Sequence, residues 1–385
     1  MYPNLYYAFK DLLGLDLPFL RFVNTFGFFV AIAFLLAAWV LSNELARKSK
    51  AGLLQPTETE ILIGEPAGWG ELISNFLIGF LFGFKLLALF FLSKEITYDP
   101  QAFLFSAEGS WPLGLLVGAV FAYLKWREKN QRKLDKPEKR TIRVWPQDRV
   151  GEITMLALIF GLLGAKIFSI FEDWHNFTQD PLGTFFSPSG LTMYGGLICA
   201  AGAIWIYARK NRISIHALND AVAPGLMLAY GVGRLGCHFA GDGDWGIPSN
   251  LSEKPGFLPD WLWSSHYAHN VLKMDTPIPD CDPGIWGDYC FQLGVAAYPT
   301  PLYEALACIL LFGLLLGIKK KIKIPGQLFS IYLIFNGLER FLIEKIRVNE
   351  RLNFFGIQPT QAEVISTALF LSGIVLWVWL GRRKS

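Results

Sequence analysis

Residues 233–248, GRLGCHFAGDGDWGIP, gather Arg234, Cys237, His238, Asp242 and Asp244 at the end of an apolar run. Each side chain type has its own use. The planar guanidinium of an arginine matches phosphate or carboxylate with two parallel hydrogen bonds. An imidazole exchanges a proton near neutrality, and the aspartates can accept one. Gly231, Gly233 and Gly236 lower the bulk around Arg234, as they would where a ligand must approach the backbone closely. A second group lies in NGLERFLIEKIR (336–347). Arg340 and Glu344, four apart, share one helix face, with Phe341, Leu342 and Ile343 between them. They either neutralise one another as an intrahelical ion pair, or the glutamate steadies an arginine that offers its fork to an anion. Two buried arginines without an equal number of dedicated carboxylates point to an anionic ligand. In a membrane the natural one is a phospholipid phosphate.

Other ionisable residues also fall in apolar stretches: Lys85, Lys166, Glu172, Asp220, Glu304 and Lys345. An ionisable group inside a span is a functional candidate by default. Lys85 and Lys166 have stems long enough to snorkel. Glu304, in PTPLYEAL, opens a span, where the helix dipole favours a carboxylate for purely structural reasons. His266 and His269 lie three apart, but with no third ligand at a recognisable spacing they read as part of a packed aromatic loop. Cys281 and Cys290, in DCDPGIWGDYC, are expected to form a structural disulfide in a compartment that permits one. No metal or redox cofactor is implied.

The elements that must position these residues are membrane-length. The chain has 385 residues, 52% hydrophobic and 17% charged, against about 25% charged in soluble domains. Apolar blocks occur near 24–42, 72–93, 112–124, 151–171, 190–208, 218–239, 301–318, 327–345 and 361–380. Most approach the roughly 20 residues that cross a bilayer. The expected architecture is therefore an all-α polytopic membrane protein with about nine spans, not a soluble enzyme. Lysine and arginine cluster in ARKSK (46–50), KWREKNQRKLDKPEKR (125–140), ARKNR (208–212), KKKIK (319–323) and GRRKS (381–385). These fall in alternate loops, which places the N-terminus outside and the C-terminus inside. Residues 172–189 carry no Lys or Arg, and 240–300 only Lys254 and Lys273. Basic runs between spans are topology signals, so nucleic-acid binding is excluded as a reading. The absence of an internal repeat weakens a transporter reading.

Along the chain, 1–20 reads as an interfacial amphipathic segment without a cleavable signal. Residues 21–50 form the first span and its cytoplasmic end. Residues 60–125 hold a pair of spans, 126–150 a basic loop, and 151–385 the remaining membrane core with the loop 240–300 as a cap or lid.

At the glycine-rich stretch the sequence resembles the prolipoprotein diacylglyceryl transferases. Their pattern, G-R-[IL]-G-N-F-x-N-G-E-x-W-G, is followed by GRLGCHFAGDGDWG (233–246) with one inserted residue. DPLGTFFSPSGLTMYGGL (180–197) resembles the run that ends in His-Gly-Gly, and ISIHALNDAVAPGLMLAYGVGR (213–234) the helix before the signature. YPTPLYEAL (298–306) and PGQLFSIYLIFNGLERFLIEKIR (325–347) resemble the last conserved blocks. The resemblance covers 20–42 and about 150–385, so residues 60–125 look like two helices inserted into a seven-helix core.

The resemblance implies an enzyme of the bacterial cytoplasmic (inner) membrane, with its active site toward the outer face. Such an enzyme moves the diacylglyceryl group of phosphatidylglycerol to the lipobox cysteine thiol at a prolipoprotein signal peptide, and glycerol phosphate leaves. Carried over by position, Arg234 and Arg340 match the family arginines, Glu344 the helix glutamate and Asp242 the signature glutamate. Gly195, Gly196 and Gly246 match glycines expected near the lipid phosphate. The departures lie close to the chemistry. Tyr194 stands for the histidine, Cys237 for an asparagine with His238 beside it, Ala240 for a second asparagine, and Phe26 for a tyrosine. A tyrosine with a pKa near 10 is a poor base at neutral pH, though it can donate a hydrogen bond to phosphate. Proton transfer then falls to His238, Asp242 or Glu344, with His238 alternatively bonded into the turn. The other reading of the whole chain is a lipid-binding membrane protein of the same fold that is non-catalytic or serves a different acceptor.

Overall fold

The computed structural model describes residues 1–88, 103, 108–187, 190, 192–349, 351–353 and 358–382. Parts of several expected features therefore lie outside the described residues: 89–93 of the second span, 383–385 of the basic tail, and 188, 189 and 191 in the run before Tyr194.

Among the described residues, the nine expected spans lie largely on helices. After α1 (Leu5–Leu13) come α2 (Thr25–Lys50), α3 (Trp69–Leu81, continued by a π-helical segment Phe82–Leu87) and α4 (Trp111–Gln131). Then follow α5 (Val150–Glu172), α6 (Met193–Lys210), α7 (Ile215–Ala240), α8 (Thr300–Ile318), α9 (Gln327–Glu344) and α10 (Gln361–Arg382). Among the described residues, five helices meet both length and composition for crossing a membrane: Thr25–Lys50, Trp69–Leu87, Pro146–Glu172, Thr300–Ile318 and Gln361–Arg382. Their outward faces carry exposed Leu35, Leu77, Ile78, Leu162, Leu310 and Val375. Water would not tolerate that much apolar surface, and hydrocarbon does.

The all-α expectation needs one correction. Strands β1 (Thr57–Ile63) and β2 (Glu138–Val144) pair antiparallel, and a two-residue pair joins Thr276–Pro277 to Phe291–Gln292. The segments TETEILI and EKRTIRV are too polar to cross a bilayer, but they match as a ladder. Glu58 faces Arg143 in the register, and Arg143 Nε lies 3.5 Å from Glu58 Oε1. This stem ties together the two ends of the stretch that holds α3 and α4. Those two helices pack on each other, and a Cβ at Gly83 would lie 2.4 Å from the Leu113 carbonyl oxygen.

Helix α7 is the axis of the remaining bundle, packed on α2 along one side and on α8 and α9 along the other. Its apolar contacts fall into two groups. Leu218 and Ala221 join Leu41, Leu45, Ile153 and Ala208 near its start. Further along, Met227 joins Cys308, Leu315 and Leu328. The glycines on its second half were expected to admit a ligand. Two of them instead admit neighbouring helices: a Cβ at Gly231 would meet Cys308 Cβ at 3.0 Å, and one at Gly236 would meet Phe29 Cβ at 2.9 Å. Only Gly233 of the three has nothing within 4 Å.

The loop after α7 folds over the bundle end, as a cap should. Tyr267, Leu293 and Ala297 form a small core with Trp245 and Met1. Cys281 and Cys290 are disulfide-bonded. His266 and His269 each use Nδ1 on a backbone carbonyl, of Leu293 and Tyr289, both at 2.8 Å. The His269 ring also stacks on Trp286 at 3.6 Å. The two imidazoles are packing groups of the loop, not a ligand pair.

Candidate active site

The site is built where α7 stops. Gly241, at φ +66, takes the left-handed conformation that ends the helix, and its N–H donates to the Cys237 carbonyl at 3.0 Å. The chain turns through Asp242, Gly243 and Asp244 and then lies against two other segments. Gly246 N–H donates to the Tyr298 carbonyl at 2.9 Å, and Ile247 N–H to the Ile346 carbonyl at 2.9 Å. A Cβ at Gly246 would sit 2.6 Å from the Ile346 carbonyl oxygen and 2.8 Å from Thr300 Cγ2. Only glycine permits this approach, which brings Asp244 to the residues just beyond α9. Thr300 Oγ1, at the start of α8, donates to the Asp244 carbonyl at 2.7 Å.

Three arginines and three carboxylates meet there. Arg234 pairs with Asp244, and its Nε lies 2.6 Å from Glu304 Oε2. Arg340 reaches Glu304 Oε1 at 3.1 Å with one Nη and Glu344 Oε2 at 2.9 Å with the other. Arg347 pairs with Asp244 and lies 3.3 Å from Glu304 Oε1. Asn349 steadies Glu344 with a 2.7 Å hydrogen bond. Glu304 thus touches all three guanidinium groups, because α8 carries it into the gap between α7 and α9.

The expected surplus of arginine is absent among these six side chains. Arg234, Arg340 and Arg347 are balanced by Asp244, Glu304 and Glu344. The burial is uneven, however. The Glu304 and Glu344 side chains are 0% exposed and Asp244 is 30% exposed. An incoming anion can take a place on the arginines only by displacing a carboxylate, and Asp244 is the one within reach of solvent.

The two aspartates of the turn differ electrostatically. Burial alone would raise the Asp244 carboxyl, but Arg234 and Arg347 outweigh it and hold the group below the usual carboxylate range. Asp242 has no such partner. Burial, and then the negative charge of Asp244, push its carboxyl upward. Sγ of Cys237 and carboxylate oxygens of Asp242 and Asp244 lie within 4.8 Å of one another. Asp244 already uses both oxygens on arginines, which ill suits this trio to a metal ion.

The remaining expected residues lie apart from the arginines or serve packing. His238 is buried, with Nδ1 3.4 Å from the Tyr267 hydroxyl and its ring edge-on to Tyr267. Its other neighbours are Met1, Tyr2, Asp11, Phe239, His269 and Trp286, around a cavity of about 460 Å³. Tyr194 begins α6 and makes no hydrogen bond through its hydroxyl among the described residues. Gly195 and Gly196 meet α5: a Cβ would lie 2.3 Å from Phe168 Cβ and 2.7 Å from the Gly161 carbonyl, respectively. Phe26, in the first turn of α2, is exposed. Lys85 donates to the Phe103 and Glu108 carbonyls, and Lys166 to that of Ser187.

Three members of the network had weak signals in the sequence. Arg347 lies seven residues after Arg340 and three after Glu344, a spacing that would share their face if the helix continued, although the helix ends at Glu344. Asp244 is separated from Asp242 by a single glycine, and only the tertiary pairing distinguishes them. Glu304 carries its usual explanation as a helix-start carboxylate, which hides its contacts.

Residues 110–379 match the family model described as prolipoprotein diacylglyceryl transferase. Among curated proteins, the phosphatidylglycerol–prolipoprotein diacylglyceryl transferase of Dehalococcoides mccartyi is 27% identical over 296 residues, 75% of this chain and 96% of that one. The Corynebacterium efficiens protein of the same name is 25% identical, covering 72% and 82%. The phosphatidylglycerol–prolipoprotein diacylglyceryl transferase 2 of Clostridium perfringens is 29% identical over 238 residues, covering 62% and 81%.

Proposed function

The chain belongs to the prolipoprotein diacylglyceryl transferase family, and from that premise we propose that it transfers the diacylglyceryl group of phosphatidylglycerol to a lipobox cysteine of a prolipoprotein. The observation that carries the reading to a site is the convergence of Arg234, Arg340 and Arg347 at the capped end of α7. The lipid phosphate takes the place of the Asp244 carboxylate on Arg234 and Arg347, and Arg340, held by Glu304 and Glu344, adds its positive charge beside them. The thiol sulfur attacks the glyceryl CH2 bonded to the phosphate oxygen. The new C–S bond forms as that C–O bond breaks, and the bonding pair leaves on the phosphate. Fixed guanidinium groups are well suited to stabilise the charge developing there.

The thiol proton passes to Asp242, whose raised carboxyl is a better acceptor at neutral pH than an ordinary aspartate. From there it reaches the departing glycerol phosphate, so charge and protons balance. Glu344 is occupied by Arg340 and Asn349, and His238 by Tyr267. Those contacts favour Asp242 over both. Gly246 positions the turn, while Gly195, Gly196 and Tyr194 hold the start of α6 beside the lipid.

In this reading the nine helices span a bacterial inner membrane with the N-terminus outside. The arginine cluster then faces the outer leaflet, where a secreted precursor arrives with its signal peptide. The stem and the α3–α4 pair form an insertion in the seven-helix core. The reading is tested with purified protein, phosphatidylglycerol and a lipobox peptide. The expected result is a peptide mass increase of one diacylglyceryl group that is absent when the acceptor cysteine is serine. No adduct, with an active relative run alongside, would favour a lipid-binding protein that is not a transferase.

A further inference from the structure

Beside the arginine cluster lie two buried polar groups with no part in it. Glu339, on α9 next to Arg340, is 9% exposed, and neither of its carboxyl oxygens has a hydrogen-bond partner among the described residues. Tyr230, on α7, buries its hydroxyl equally without a partner. Tyr230 precedes Arg234 by one helical turn, about 5.4 Å along the axis, and its ring centroid is 5.2 Å from the Arg234 guanidinium carbon. Arg234, one turn after Tyr230, and Arg340, next to Glu339, both contact Glu304, so one carboxylate ties the neighbours of the two groups together. The tyrosine packs against the apolar cluster of Met227, Cys308, Leu315 and Leu328. Buried polar atoms in native proteins nearly always find partners, so an orphaned acceptor and an orphaned hydroxyl together need an explanation.

We infer that Glu339 and Tyr230 form the receptor for a hydroxyl-bearing head group on the donor lipid. This rests on the transferase reading and deepens it by naming what selects the lipid. With the phosphate on Arg234, a short polyol attached to it lies one turn deeper along α7. Its hydroxyls donate to the Glu339 carboxyl oxygens, and one accepts from Tyr230. The head group satisfies both orphans at once. A lipid whose head group lacks hydroxyls would leave them unpaired, and a site built to hydrogen-bond a hydroxyl discriminates strongly against an analogue lacking it.

The test compares phosphatidylglycerol with phosphatidyl-1-propanol, whose head group has the same carbons and neither free hydroxyl. Both are presented in mixed micelles to the full-length protein with a lipobox peptide. Wild-type kcat/KM is expected to be about 100-fold higher on phosphatidylglycerol. In Glu339→Leu that preference is expected to shrink at least tenfold. Glu339→Gln and Tyr230→Phe, which conserve volume, are expected to shrink it in the same direction and guard against misfolding of the leucine variant. Equal losses on both lipids would mark the pair as structural and overturn the inference. So would a wild-type enzyme that uses both lipids equally, or variants with unchanged preference because a buried water satisfies the two groups. If the wild type forms no product from phosphatidylglycerol, the transferase reading falls and takes this inference with it.

Discussion

The two ends of α7 carry two buried charge clusters, about 21 Å apart along the helix, and they are built differently. At the first end, Asp220 accepts from the backbone N–H groups of Gly326 and Phe329, both at 2.9 Å, and pairs with Lys48 at 3.3 Å. It clasps the start of α9 with amides that the helix must otherwise leave unpaired. Glu44 beside it pairs with Arg47 and Lys319. No side-chain atom of these residues is left buried and unbonded among those described. At the second end, Glu304 Oε2, Glu344 Oε2 and Arg347 Nε are buried without a well-directed hydrogen bond, although the two carboxylate oxygens touch arginines. A cluster satisfied by backbone amides fixes a fold. One whose ion pairs leave bonding directions unfilled on both sides is prepared for an exchange of partners.

That contrast can be broken in several ways. The largest effect on chemistry is expected for Arg340→Lys, which keeps the charge and loses the fork. Transfer should fall about 10²–10³-fold, from the loss of charge-assisted bonds worth roughly 1.5–3 kcal/mol each, while the thermal midpoint stays within a few degrees. Asp220→Ala should do the reverse. Leaving Lys48 buried and unpaired costs about 3–5 kcal/mol of stability, read as a lower unfolding midpoint in detergent, while kcat/KM per folded molecule stays within about threefold.

Asp242→Asn sharpens the comparison because its two readouts move in opposite directions. Transfer should drop about 100-fold with the base removed. Stability at pH 7 should rise by about 1 kcal/mol, because the folded state no longer holds an unfavourable charge. The sign follows from the raised carboxyl. Wild-type aspartate is ionised more readily unfolded than folded, so its cost is present above the folded pKa. That cost vanishes once both states are protonated, and the stability gain should shrink as pH is lowered. The smallest expected effect is that of Gly246→Ala. The added methyl meets the Ile346 carbonyl at 2.6 Å and shifts Arg347 by tenths of an ångström, for about a tenfold loss of transfer.

Much of this was legible before any coordinates. Arg234, Arg340 and Glu344 stood out because charge is expensive within apolar segments, and each lies in the network. Where they are described, the apolar blocks are largely helical, because membrane-length apolarity leaves the backbone few alternatives. What escaped was set by tertiary pairing. The polar β1–β2 ladder has no strong hydrophobic alternation to announce it. Arg347 lies beyond its span, where a basic residue has an ordinary explanation. The balance of three arginines by three carboxylates required knowing that α8 inserts Glu304 between α7 and α9. The glycines at 231 and 236 looked like room for a ligand and proved to be room for helices, since sequence cannot say which body approaches a bare backbone.

The central claim is that the arginine cluster, and not the Asp220 clasp, holds the lipid phosphate. Its most direct test is glycerol phosphate release from phosphatidylglycerol in the presence of the lipobox peptide, comparing wild type with Arg234→Ala at matched amounts of folded protein. Stoichiometric release and peptide modification are expected of the wild type, and neither of the variant. Wild-type-like release from folded Arg234→Ala would contradict it.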